Sequence, residues 1–275
     1  MGQKSNPNSF QILSKTTNHL CATQHSLEYS NFFKEQLFVS SNLTFFFEKK
    51  NCIVKDCFFI LSNERAFVTI FINFLVLRKR KRKPKNLSGV SALKPDVSLI
   101  VQKIFKILTQ FGYFSSKRIV FQNLNKLASV YRKTFFFSEA NRIRNQLLLF
   151  KKEIYFEPGI SLFCLMNVTK KSSLLVAKFI ARFFKIFHKS KKILKFLLFL
   201  SKFVANTDNI RFKNSKIKGL KIQIKGRTGG VPRSRKHIFE KGCIPLQTIS
   251  STVNYSLVHI HTIYGAFGLK VWVFD

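Results

Sequence analysis

Gly219-Leu220-Lys221-Ile222-Gln223-Ile224-Lys225-Gly226 sets an apolar residue at every second position and a polar or cationic one between. Successive side chains of a strand point to opposite faces. The stretch is therefore predicted as a β-strand with Leu220, Ile222 and Ile224 on a core and Lys221, Gln223 and Lys225 on a solvated face. Gly226-Arg227-Thr228-Gly229-Gly230 follows and reads as a hairpin turn, and three further strands run on to residue 275. Alternation with one basic face describes a half-buried, mostly antiparallel four-stranded sheet.

Upstream, the period changes from two to about 3.6. In residues 172–204, Val176, Phe179, Ile180, Phe183 and Phe187 mark one helix face, while Lys178, Arg182, Lys185, Lys189 and Lys192 repeat at steps of four and three on the other. Ser190 is a candidate cap for a second helix carrying Leu194, Leu197, Leu198 and Phe203. Residues 172–204 are thus predicted as a helical hairpin or a bent helix ahead of the sheet, an α+β arrangement over residues 172–275.

The amino half is less regular. Residues 1–30, with Asn6, Pro7 and Asn8 as breakers and Lys4 as an early cation, read as an extended arm. Residues 31–50 suggest a helix through Phe32, Phe33, Leu37 and Phe38, and two apolar runs, 52–61 and 66–77, are strand candidates parted by Ser62, Asn63 and Glu64. Arg78, Lys79, Arg80, Lys81, Arg82, Lys83 and Lys85 then form a basic run broken by Pro84, in a loop over 78–96. Asp96 is a plausible N-cap for a helix over 97–110, with Val97, Ile100, Val101, Ile104 and Leu108 at helical spacing. A strand over 118–124 and a helix over 138–149 are expected, and 125–171 is set apart as an insertion or strongly diverged segment.

Lys and Arg total 48 against 12 Asp and Glu, giving a formal charge of +36. A chain so cationic resists compaction through self-repulsion unless phosphates neutralise it and release counterions, so nucleic acid is the default partner. An anionic membrane surface is the rival. A hydrophobic share of 46% separates the chain from disordered basic tails. No uncharged apolar run, 66–77 included, approaches the roughly 18 residues of a membrane span, so membrane insertion is not expected. Phe occurs 33 times, which with abundant Lys, Ile, Leu and Asn suggests an AT-rich, organellar coding sequence; the plainer reading is that Phe fills the core. The first Arg is Arg65, so no Arg-rich cleaved presequence is indicated.

Other constellations carry less. Gly226 to Gly230 lacks the Gly-Lys-Ser/Thr of a nucleotide loop. Cys21, Cys52, Cys57, Cys164 and Cys243 contain no CxxC pair, which argues against a disulfide framework, and Cys52 and Cys57 read as buried thiols rather than zinc ligands. His259 and His261 share a strand face; packing or an RNA contact is preferred to zinc, because Cys and carboxylates to complete a site are not nearby. Trp272 and Phe274 read as core, with base stacking the minor alternative. After Pro158 only Asp208, Glu240 and Asp275 are acidic, so no acid–base pair can be named. No enzyme, cofactor or metal is expected.

Met1-Gly2-Gln3-Lys4-Ser5-Asn6-Pro7 resembles the opening of bacterial-type small-subunit ribosomal protein three. The carboxyl region resembles that family more strongly: Gly219-Leu220-Lys221-Ile222, Gly226-Arg227-Thr228-Gly229-Gly230, Gly242-Cys243-Ile244-Pro245-Leu246-Gln247-Thr248-Ile249, His261-Thr262-Ile263-Tyr264-Gly265 and Gly268-Leu269-Lys270-Val271-Trp272-Val273-Phe274 follow its pattern. The resemblance implies a two-domain protein of the subunit head, with a type II KH amino domain and a carboxyl domain of two helices on a four-stranded sheet. It also implies a position at the mRNA entry channel, where a basic cluster on the second helix acts on structured messenger; its spacing falls here on Lys191, Lys192 and Lys195. Lysines behind a Ser190 cap oppose the helix dipole unless an anion compensates, and the plain alternative is a solvated charged face. A working KH loop is Gly-x-x-Gly. The corresponding segment here offers Gly89 with the basic run instead, so residues 31–124 are expected to form a degenerate KH-like domain that holds RNA by charge.

The expected function is that of a structural constituent of the mitochondrial small ribosomal subunit, binding small-subunit rRNA in the head and lining the mRNA entry channel. The alternative is a basic organellar RNA chaperone or intron-splicing factor acting off the ribosome. Expected partners are rRNA, mRNA and neighbouring small-subunit proteins, without homo-oligomerisation; the expected location is the mitochondrial matrix, with the protein organelle-encoded. Besides the cations already named, Arg233, Arg235 and Lys236 join Lys225 and Arg227 as expected RNA contacts.

Overall fold

The computed structural model describes residues 6–7, 26–49, 52–62, 67–76, 102, 106, 116–124, 145, 147–168, 172–187, 190–205, 217–230 and 236–274. The chain divides into two compact units, Thr17–Leu124 and Asn125–Asp275 with Met1–Thr16.

In the first unit, α1 (Ser26–Lys49) is followed by β1 (Cys52–Ser62), β2 (Phe67–Val76) and β3 (Ser116–Asn123). Val39, Leu43 and Phe47 recur at four-residue steps and are buried, giving α1 one stripe that packs against β1, where Cys52, Ile53 and Val54 are buried too. The helix starts at Ser26, inside the stretch expected to be an extended arm. β1 pairs antiparallel with β2, with an irregularity between Val54 and Asp56, whereas β3 runs parallel to β2. A parallel pair needs a crossover of a dozen or more residues. Residues 77–115 are that crossover; of them only Gln102 and Lys106, both helical, are described, so the expected basic loop and the capping role of Asp96 lie outside the described residues.

The second unit contains a 3-10 turn at Leu148–Phe150, then α2 (Phe156–Val168), α3 (Ser173–Ile186), α4 (Ser190–Ala205), β4 (Gly219–Gly226), β5 (Lys236–Gly242), β6 (Val253–Thr262) and β7 (Gly265–Phe274). Strand order is β5-β4-β7-β6 with every pairing antiparallel. On β4, Leu220, Ile222 and Ile224 are buried opposite Val273, Val271 and Leu269 of β7, the alternation expected of a half-covered sheet. Helix α3 crosses β6 and β7 while α4 lies over β5 and β4, so both helices cover the same sheet face.

Ser172 caps α3, its hydroxyl accepting the Leu175 N–H at 3.2 Å. The expected α3 face is buried at Val176, Phe179, Ile180 and Phe183, yet Leu175, Ala177, Ala181 and Phe184 are buried as well. Phe184 lies against Phe267 of β7 at 5.2 Å, and further aromatic cover comes from the segment that leads into α2. Tyr155, just ahead of α2, lies in ring contact with Phe183, Phe187 and Phe196 at centroid distances of 5.7, 5.8 and 4.8 Å, and Phe150 meets Phe196 at 5.5 Å. A Cβ on Gly159 of α2 would stand 2.7 Å from Phe196 Cζ, so glycine allows this close approach. The two helices expected on the sheet are α3 and α4, and α2 packs against them through Gly159; residues 147–168, set apart as an insertion or strongly diverged segment, contribute buried residues to this unit. On α4 the buried stripe is Ile193, Phe196, Leu197 and Leu200; Leu198 is exposed, a correction to the expected stripe.

Candidate nucleic-acid interface

Ser190 is already the first helical residue of α4, so Lys191, Lys192 and Lys195 lie in its first two turns, all exposed. This first turn has no acidic residue. Cations there meet the positive end of the helix dipole, an unfavourable placement of about 0.3–1 kcal/mol each at low salt. The structure offers one of them a carboxylate from elsewhere: Glu153 Oε1, in the turn leading to α2, lies 3.1 Å from Lys192 Nζ, with the Lys192 side chain 74% exposed. Glu153 is fixed two residues from the buried Tyr155 ring, whose hydroxyl is held protonated well above the ordinary tyrosine range, first by burial and then by the Glu153 charge. Lys191 and Lys195 have no such partner among the described residues.

On α3, Lys178 and Arg182 are half-buried and Lys185 is exposed in the last turn, where a cation complements the dipole.

The sheet face away from the helices has its own pattern. The four-strand register places Glu240, Lys221, Trp272 and Tyr255 in one row, Ile238, Gln223, Lys270 and Leu257 in the next, and Lys236, Lys225, Gly268 and His259 in the third. In the first row Lys221 Nζ bonds Glu240 Oε2 at 2.6 Å, and Tyr255 and Trp272 are in ring contact at 5.3 Å. Trp272 is only 9% exposed, so packing rather than base stacking is its role. In the third row Lys225, Lys236 and His259 are exposed, and Arg227 is exposed just beyond β4. His261 is exposed opposite Ala266.

Of the expected RNA contacts that are described, Lys191, Lys192 and Lys195 gather at the start of α4, Lys225, Arg227 and Lys236 at the outer sheet face, and Lys178, Arg182 and Lys185 stand apart on α3. Lys4, Arg78, Lys79, Arg80, Lys81, Arg82, Lys83, Lys85, Lys189, Arg233 and Arg235 lie outside the described residues. Sequence reasoning missed Lys270, whose membership of the outer face needs the β4–β7 register, and Glu153, for which no local signal exists. Among the described residues no group of three or more His, Cys, Asp or Glu is placed to hold a metal ion, and no helix is long and apolar enough to cross a membrane.

These features define a small, strongly cationic α+β domain with one helix-lined and one sheet-lined basic surface. Residues 204–273 match the family described as Ribosomal protein S3, C-terminal domain, a span that begins at the end of α4 and takes in all four strands. Small ribosomal subunit protein uS3c of Sorghum bicolor is 47% identical over 62 residues, 22% of this chain and 28% of that protein. The uS3c protein of Chara vulgaris is likewise 47% identical over 62 residues, 22% and 28% of the two chains. Small ribosomal subunit protein uS3 of Buchnera aphidicola is 40% identical over 57 residues, 21% and 24%. The similarity of this chain to small-subunit ribosomal protein S3 thus lies in residues 204–273, the part that resembles that protein's C-terminal domain. The match spans about a quarter of the length of these relatives, 24–28%.

Proposed function

We propose that this protein is a structural constituent of an organellar, mitochondrial, small ribosomal subunit, where it binds rRNA in the head and borders the mRNA entry channel with the first turns of α4. The observation that carries the reading is the sheet-and-hairpin domain of residues 204–273, joined to a charge of +36 that needs a polyanion at hand. The similarity of residues 204–273 to the ribosomal protein S3 C-terminal domain supports rRNA and neighbouring ribosomal proteins as partners. Lys191, Lys192 and Lys195 support the channel role, since exposed cations at a helix start gain most when phosphate compensates the dipole. The Phe-rich, Lys-rich composition supports an organellar gene and the mitochondrial matrix as its location.

For the first unit, a helix, an antiparallel strand pair and a third strand parallel to the second support a KH-like reading. No Gly-x-x-Gly occurs between β2 and β3, so RNA is held there by the basic run at residues 78–85.

Sedimentation of mitochondrial extract through a high-salt sucrose gradient tests the assignment. Comigration with small subunits is expected; a wholly free pool would instead indicate a chaperone or splicing factor working off the ribosome.

A further inference from the structure

Gly226 and Gly268 are both glycines in the central strands of the second sheet, but only one is explained by the protein itself. Gly226 has φ +131°, and a Cβ there would stand 2.7 Å from Phe267 Cβ. Gly268 is not among the positive-φ glycines, and a Cβ on it would meet nothing within 4 Å. A glycine inside a strand weakens it, and where neither backbone conformation nor crowding requires it, it marks a place where something else approaches the backbone closely.

A second oddity lies in the same row. Lys225 and Lys236 are register partners on β4 and β5, both pointing to the exposed face. Like charges directly opposite one another in a sheet are destabilising. Lys225 is in turn the partner of Gly268, whose other neighbour is the exposed His259, and Lys270 is exposed two residues along β7. The acid of this face, Glu240, is engaged by Lys221 at 2.6 Å, which leaves no described carboxylate to neutralise Lys225, Lys236 or Lys270.

We infer that the outer sheet face is a second RNA-binding surface, with a sugar-phosphate backbone seated over the open floor at Gly268 between Lys225, Lys236, Lys270 and His259. Charge complementarity names the occupant, and the missing side chain supplies the room for close approach. This surface and the α4 lysines lie on opposite sides of the sheet, because α3 and α4 both cover the other face. The domain is then held between two RNA segments rather than resting on one. The inference rests on the RNA-binding reading above and extends it to a site of its own.

The test uses the full chain and a short labelled single-stranded oligoribonucleotide, with affinity measured against salt. Gly268→Val suits a strand and its Cβ meets no neighbour within 4 Å, so its thermal midpoint is expected to match or exceed that of the parent. Its RNA affinity is expected to fall about tenfold, the scale of removing one or two phosphate interactions. Replacing Lys225, Lys236 and Lys270 together by Ala is expected to reduce the magnitude of the salt slope by about two, at about 0.7 for each single-strand phosphate neutralised. Gly268→Ala, a smaller change, provides the same comparison should the Val variant fold poorly. Parent-like affinity in the folded Gly268 variants together with a parent-like slope in the triple variant overturns the inference, even if Lys191→Ala with Lys195→Ala lowers the slope. If instead Ile238→Ser with Leu257→Ser impairs assembly with small-subunit proteins while the lysine variant is silent, the face serves a protein and the inference is again overturned. A parent chain that binds no RNA under any salt condition defeats the functional reading as well.

Discussion

Glu153 and Lys192 are 39 residues apart in the chain and joined by an ion pair of 3.1 Å. The pair sets a carboxylate inside the cationic cluster at the start of α4, where it occupies one ammonium that phosphate would otherwise take. Glu153→Gln is expected to increase the magnitude of the salt slope of RNA binding by up to one phosphate's worth, about 0.7–0.9, and to raise affinity at low salt. An exposed pair contributes at most a few tenths of a kcal/mol to folding, so the thermal midpoint is expected to move little. Salt-dependent anisotropy of a labelled RNA reads both arms, and a slope equal to the parent's would remove Glu153 from any such competition.

Lys191 and Lys195 carry no comparable partner among the described residues, so they are the cations of this cluster most available to phosphate. Lys191→Ala with Lys195→Ala is expected to lower the slope by about 0.7–0.9 for each phosphate no longer neutralised, uniformly across RNA sequences. The same change relieves cations at a helix start and is expected to leave stability unchanged or slightly raised.

Phe196 lies against Tyr155, Phe150 and Gly159, so it joins α4 to the segment that precedes α3. Phe196→Ala removes a fully buried ring and is expected to cost about 3–5 kcal/mol. Tyr155 behaves differently, because its hydroxyl is buried without a hydrogen-bond partner among the described residues. Deleting an unsatisfied polar atom while keeping the ring relieves desolvation, so Tyr155→Phe is expected to hold or improve stability by about 1 kcal/mol. Chemical denaturation of the three proteins, parent included, checks the opposed signs.

Cys52 is buried, and burial pushes its thiol from 9.0 up to about 11, whereas Cys243 is exposed. At pH 8, site-resolved mass spectrometry after brief alkylation is expected to show Cys243 modified and Cys52 protected until the first unit unfolds. The folded protein keeps the Cys52 proton more tightly than the unfolded chain does. The stability linked to it is therefore intact below about pH 9 and declines progressively as pH rises toward 11. Equal labelling of the two thiols in the native protein would contradict the burial of Cys52.

The sheet was legible in the sequence because β4 contrasts apolar with cationic residues at a strict period of two. The face of α3 was legible for the same kind of reason, through Val176, Phe179, Ile180 and Phe183. Helix α4 was misread by one position because Ile193, Leu194, Phe196, Leu197, Leu198 and Leu200 surround it with apolar residues; Lys191, Lys192 and Lys195 would have oriented it correctly, since the buried stripe lies opposite them. Helix α2 was passed over because Pro158 and Gly159 look like breakers. Pro158 occupies the first turn, where its missing N–H breaks no helical bond, and Gly159 faces Phe196. The Glu153–Lys192 pair and the row through Gly268 join residues distant in sequence, and only tertiary pairing brings them together.

Strand order has a consequence for synthesis. β7 is the last of the described strands to be made, yet it lies between β4 and β6. Until it emerges from the tunnel, β6 has no described strand to pair with and β4–β5 is a two-stranded ribbon, marginal in water without further strands or the cover of a helix. The nascent polypeptide must therefore wait, its Ile- and Val-rich edges unsheltered, for a late insertion into the middle. A translating ribosome that stalls before Val271 would release a product unable to assemble this sheet at all.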